Sequence, residues 1–162
     1  MKQTIILIGL PGVGKSTTGK HLYSQLPRSQ YVDGDDLWRI HPFEVTDINK
    51  EMVEHNIKSV YQGFLKNRLL QYFIFSWVVA NHELLHKITT WFKDTNPVIV
   101  LLECNKGTYI HRLQEDQRDL SILDRYEEMQ SNYNEMDVHR VDTTDKSIPD
   151  IIKEIQTFIP EC

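Results

Sequence analysis

Runs of apolar residues divide the chain into alternating strand and helix segments. Thr4 to Ile8 is nearly all β-branched and apolar, the pattern of a central parallel strand covered on both faces. A helical pattern follows from near Lys15 to Leu26, where Pro27 stops it. Gln30 to Asp33 reads as a short second strand, and Leu37 to Ile40 as a helical turn closed by Pro42. From Asp47, read as an N-cap, to Leu70 the apolar positions Ile48, Met52, Ile57, Val60, Tyr61, Phe64 and Leu65 recur mostly at three- and four-residue steps. Tyr72 to Val79 is the most apolar run and predicts an internal strand. Asn81 is placed to cap a helix running to about Lys93. Val98 to Leu102 is a further buried strand, and Asn105 or Thr108 opens a helix towards Gln117. A helix over about Leu123 to Met136, a strand over Val138 to Asp142 and an amphipathic helix over Ser147 to Phe158 complete the pattern.

Strand and helix thus alternate five times with no repeat period, linker or low-complexity stretch. That order predicts an α/β protein: a three-layer α/β/α sandwich with a five-stranded parallel sheet. The 162 residues suit one domain over 1–162 with room for a full core. Ligands of such sheets bind beyond the carboxyl ends of the strands. This puts the 9–16 loop, Asp33 to Asp36, Ser76-Trp77 and Glu103 along one rim.

Composition narrows the class. Net charge is −5 and the basic residues are scattered, so a nucleic-acid-binding surface is not expected. Two cysteines, Cys104 and Cys162, make no disulfide framework and suit a reducing, cytoplasmic setting. No stretch approaches the length of a membrane span. His82 and His86 stand four apart on one predicted helix, but no third ligand is apparent, so they read as surface histidines.

The loop after the first strand carries the chemistry. Gly9-Leu10-Pro11-Gly12-Val13-Gly14-Lys15-Ser16, followed by Thr17, fits the G-x-x-x-x-G-K-[ST] phosphate loop at every fixed position, between a strand and a helix as that motif requires. Gly9, Gly12 and Gly14 let the backbone turn its N–H groups inward around a polyphosphate. The helix beginning at Lys15 points its positive end at the same place. Lys15 is then the point charge on the terminal phosphates of a nucleoside triphosphate, and the Ser16 hydroxyl a Mg²⁺ ligand. Two carboxylates directly after strand two, Asp33 and Asp35, face that loop; they can hold Mg²⁺ through water or orient an acceptor hydroxyl.

The phosphate loop together with Tyr31-Val32-Asp33-Gly34-Asp35 resembles the small P-loop kinases, the group of shikimate, gluconate, adenylylsulfate and nucleotide kinases. The resemblance spans the chain in element order and length; only the loop and the Asp-x-Asp are specific in residue identity. It implies an ATP- and Mg²⁺-dependent phosphotransferase acting on a small-molecule acceptor, a metabolite hydroxyl, nucleoside or nucleotide. It implies that Asp33 is the metal-side residue and possible base, and Asp35 the acceptor-side residue. Thr108-Tyr109-Ile110-His111-Arg112-Leu113 is similar to the group's helix leading into a lid, here the short charged stretch at about 114–126. That likeness implies Arg112 for adenine and Arg118 for the phosphates. Arg39 is the candidate acceptor donor in the region about 35–70, which also carries Trp38, His41, Phe43, His55, Tyr61 and Phe64. The third strand departs from the pattern: it ends Phe75-Ser76-Trp77 with no carboxylate, so metal binding leans on Ser16, Asp33 and water. A regulatory nucleotide-binding module or slow ATPase is the alternative reading. The guanine-reading Asn-Lys-x-Asp motif of GTPases is absent from the sequence.

Overall fold

The sheet is built around β1 (Gln3–Ile8), whose six residues are all buried. In the computed structural model, which describes residues 2–160, β1 lies between β3 (Tyr72–Ser76) and β4 (Val98–Glu103). β2 (Ser29–Asp33) and β5 (His139–Asp142) flank these, giving the order β2-β3-β1-β4-β5 with every pairing parallel. Burial on both faces explains why Ile5 to Ile8 read as an uninterrupted apolar run. Cys162 lies outside the described residues.

Among the described residues, six helices complete the α/β sandwich: α1 (Lys15–Gln25), α2 (Asp47–Lys66), α3 (His82–Trp91), α4 (Lys106–Glu115), α5 (Tyr126–Asn134) and α6 (Ile148–Phe158). α1 packs against β2, β3 and α6. Its Gly19 lies so close to Tyr31 that a Cβ would stand 2.3 Å from a ring carbon. α6 is capped by Ser147, whose Oγ accepts from Asp150 N, and it buries Ile151, Ile152 and Ile155. Burial of each such side chain stabilises the fold by about 2 kcal/mol. α2 closes over an aromatic cluster of Tyr61, Phe64, Phe73 and Phe92. The Tyr61 hydroxyl is bonded within this core, to Phe92 O and Thr95 Oγ1. Tyr61 and Phe64 are therefore core residues.

Three expectations shift. Thr46, not Asp47, caps α2: its Oγ1 accepts from Asn49 N, and Asp47 opens the helix, where its charge favours the positive end. Ile48 then points away from the core and is 78% exposed. β3 ends at Ser76 rather than Val79, and the next residue, Trp77, lays its ring against Gly34 just after β2. The charged stretch after α4 forms a 3₁₀ segment over Leu120–Arg125, which delays α5 to Tyr126. Asn81 and Asn105 do cap α3 and α4. No helix among the described residues is long and apolar enough to cross a membrane.

Candidate active site

The loop between β1 and α1 is the floor of the site. Gly9 has φ 145°, and a Cβ there would lie 2.4 Å from Leu102 O, so only glycine fits beside β4. Gly14 is the N-cap of α1 in a left-handed conformation, with no side chain bonded across the helix end and no acidic residue in the first turn. The first N–H groups of α1 are thus left for an anionic ligand.

Lys15 is buried, and its Nζ donates to Gly9 O and Leu10 O at 3.0 and 2.9 Å. Burial lowers its pKa to about 8; the carboxylates of Asp35 and Asp33 oppose that shift and Arg118 adds to it. Phosphate oxygens are stronger acceptors for this ammonium than neutral carbonyls.

Asp33 is held from three sides. Its Oδ2 accepts from Ser16 Oγ at 2.6 Å and from Tyr31 OH at 3.2 Å, and its Oδ1 accepts from Asp35 N at 3.1 Å. Tyr31 OH also bonds Ser76 Oγ at 2.7 Å. Burial, more than any neighbour, pushes the Tyr31 phenol up to about 12, so it stays protonated. Tyr31 and Asp33 point to one side of β2, and Ser76 is the register partner of Asp33 on β3. A tyrosine–serine pair therefore stands at the strand end that lacks a carboxylate. Only the Tyr31–Asp33 spacing was visible in the sequence; the Ser76 link depends on strand pairing.

Asp35 lies in the first turn of the 3₁₀ segment Gly34–Trp38, which Asp33 caps. Its pKa is raised, first by burial and then by Asp33, against Lys15 and a hydrogen bond from the Trp77 side chain. Arg118 is brought over the loop by the end of α4. Gln117 adopts φ 53°, Gln117 N donates to Gln114 O, and Arg118 N donates to Leu113 O. This is a Schellman turn with glutamine in the left-handed position usually taken by glycine. Lys15, Ser16, Asp33, Asp35 and Arg118 line one cavity of about 110 Å³.

Beside it, a cavity of about 230 Å³ is walled by Gly12, Val13, Gly14, Thr17, Arg112 and Thr143. Arg112 Nη1 donates to Val13 O and Thr143 Oγ1, and Nη2 to Thr143 O, fixing the guanidinium between the loop and the turn after β5. Thr143 was not singled out in the sequence, which carries no local signal for it. Arg39 lies beside Asp35 but is mostly exposed, and its Nε donates to Asp36 Oδ1 at 2.9 Å. Glu103 does not join the rim chemistry: Arg140 binds it at 2.9 Å on the β5 side. No group of three or more histidine, cysteine or carboxylate residues arranged for a metal occurs among the described residues, His82 and His86 included.

The family model described as "AAA domain" matches residues 5–135, which contain the loop, Asp33, Asp35, Arg112 and Arg118. The chain belongs to this AAA domain family. Its likenesses run to small P-loop kinases. It is 28% identical to a shikimate kinase of Staphylococcus epidermidis over 162 residues, 94% of this chain and 93% of that one. Its fold is similar to a gluconokinase from Sinorhizobium meliloti 1021, with TM-score 0.65 at 16% identity, covering 96% of this AAA domain protein and 90% of the other. It is also similar to a tunicamycin resistance protein of Deinococcus radiodurans, with TM-score 0.73 at 14% identity, covering 97% and 95% of the two chains.

Proposed function

We propose that this kinase transfers the γ-phosphoryl group of ATP to a hydroxyl of a small-molecule acceptor. The observation that carries the reading is the convergence of Lys15, Ser16, Asp33, Asp35 and Arg118 on one cavity at the carboxyl end of the sheet. The loop amides and the start of α1 hold the β- and γ-phosphates, with Val13 and Thr17 on the adjoining wall and Arg112 beside the nucleoside. Ser16 Oγ and the Asp33 carboxylate are hard oxygen donors already in contact, and they fit Mg²⁺, which prefers such oxygens plus water. Held by Ser16 and Asp33, Mg²⁺ would supply neutralisation of the charge on the phosphates.

In the transfer, the acceptor oxygen forms a bond to the γ-phosphorus as the bond to the β–γ bridging oxygen breaks, releasing ADP. Both Asp33 oxygens are occupied by Ser16, Tyr31 and the Asp35 amide, so Asp33 orients the metal side and aligns the reacting groups. Asp35 faces both the phosphates and the hollow beside Trp38 and Arg39, and it takes the hydroxyl proton. Its raised pKa makes it the more basic of the usual carboxylates for that step. Lys15 and Arg118 stabilise charge on the transferring group, and the 114–126 segment excludes water above it.

ADP release measured with ATP, Mg²⁺ and a panel of hydroxyl compounds tests this. Acceptor-dependent release that disappears in Lys15→Ala, with the circular dichroism unchanged, supports it. Slow release that no acceptor accelerates would favour the regulatory or ATPase reading and overturn it.

A further inference from the structure

All three tryptophans of the chain, Trp38, Trp77 and Trp91, line a single cavity of about 320 Å³ between α2 and α3. Val45 and Leu84 add further apolar wall. None of the three rings is fully buried, so each keeps surface that a ligand can cover. The cavity is joined to the phosphate site through two residues. The Trp77 side chain lies beside Asp35, which lines the phosphate cavity. Trp38 is shared with the hollow beside Asp35.

The charges at its mouth are already matched. Lys87 pairs with Glu83 at 3.1 Å, Lys50 with Asp47 at 3.1 Å, and Glu54 with Lys58. No arginine is among the residues lining the cavity. A carboxylate or phosphate on the ligand would meet no fork of donors there. The neighbouring segment adds to the apolar character: Phe43 and Val45 are 65% and 60% exposed, an uncommon cost at a site mouth unless a ligand covers them. A cavity of this size is at the small end of ligand sites, which limits the occupant to one or two fused rings.

We propose that the phosphate acceptor is an uncharged compound with a flat ring and a free hydroxyl, bound against Trp38, Trp77 and Trp91 with the hydroxyl at Asp35. The aromatic faces recognise the ring, and the electroneutral mouth rejects anionic analogues. This rests on the phosphotransfer reading above, because it takes the cavity to be the acceptor half of that site.

The test titrates matched neutral and anionic compounds into the protein with Mg²⁺ and a non-hydrolysable ATP analogue, reading tryptophan fluorescence. The pairs are benzyl alcohol with para-hydroxymethylbenzoate, and thymidine with thymidine monophosphate. The expected result is quenching by the neutral members, weakened about tenfold or more in both Trp91→Leu and Leu84→Glu, with the anionic members about tenfold weaker. ADP release from ATP is then followed with the same four compounds. Equal or tighter binding of the anionic members overturns the proposal and leaves phosphotransfer standing. Binding that neither variant alters, or no binding by either neutral ring, overturns it as well. Variant-sensitive binding of the neutral rings without any acceptor-dependent ADP release retains the ligand class and sinks the kinase reading instead.

Discussion

Ser16 on the phosphate loop and Asp33 at the end of β2 are joined by a hydrogen bond of 2.6 Å, from Ser16 Oγ to Asp33 Oδ2. The first turn of α1 and the end of β2 thus present adjacent hard oxygens to the same point. In Asp33→Asn the shape survives and the charge is lost. We expect normal secondary structure and a fall in turnover of roughly 10²–10³-fold, the scale of losing one preorganised electrostatic group. Ser16→Ala should act in the same direction. Parallel thermal melts and ADP-release assays check both; wild-type turnover in Asp33→Asn would remove Asp33 from the mechanism.

Tyr31→Phe removes the hydroxyl that links Asp33 to Ser76. Ser76 is buried, so its Oγ loses its partner. The expected cost is about 1 kcal/mol of stability by urea denaturation, the usual net worth of such a bond. Turnover should fall less than in Asp33→Asn, because Asp33 keeps its Ser16 and Asp35 contacts. No stability change would show that the tyrosine hydroxyl is idle.

Gln117 holds φ 53°, and the backbone of Arg118 depends on it. Gln117→Gly should preserve activity, since glycine adopts this conformation freely. Gln117→Val should reduce it, because a β-branched residue resists the left-handed region and shifts Arg118 off the loop. If valine is tolerated as well as glycine, the turn does not position Arg118.

The pKa of Lys15, lowered by burial to about 8, sets a pH dependence in the nucleotide-free protein. Between about 8 and the ordinary lysine value near 10.5, the unfolded chain carries a proton that the folded chain has lost. Stability contributed by this group therefore rises with pH across that window. Urea midpoints at about pH 7.5 and about pH 10 should show wild type gaining relative to Lys15→Met, which cannot titrate. A constant difference between the two proteins would mean that Lys15 titrates outside the window.

Much of the fold and of the site is legible in the sequence itself. β1 and β4 are covered on both faces, so their sequences are plain apolar runs, and the phosphate loop is spelled out in contiguous residues. Asp33 and Asp35 follow from that frame. What lay beyond reach depends on pairing or on local exceptions. The Tyr31–Ser76 bond exists only because β2 and β3 align in register. Gln117 occupies a position where glycine is the usual sign of a helix end. Trp91 joins the cavity wall from the last turn of α3, far in sequence from Trp38, and an isolated tryptophan reads equally well as core. The shift of the α2 cap from Asp47 to Thr46 is a choice between two adjacent good caps that composition alone does not decide.

The cavity shared by Lys15, Asp33, Asp35 and Arg118 is proposed to move a phosphoryl group onto a small molecule. Phosphorus NMR of the protein with ATP, Mg²⁺ and a hydroxyl-bearing acceptor measures this directly. A new phosphomonoester resonance should grow in step with ADP, absent in Lys15→Ala and strongly slowed in Arg118→Ala. Inorganic phosphate as the sole product with every acceptor offered, or a phosphomonoester formed at wild-type rate by Lys15→Ala, would contradict it.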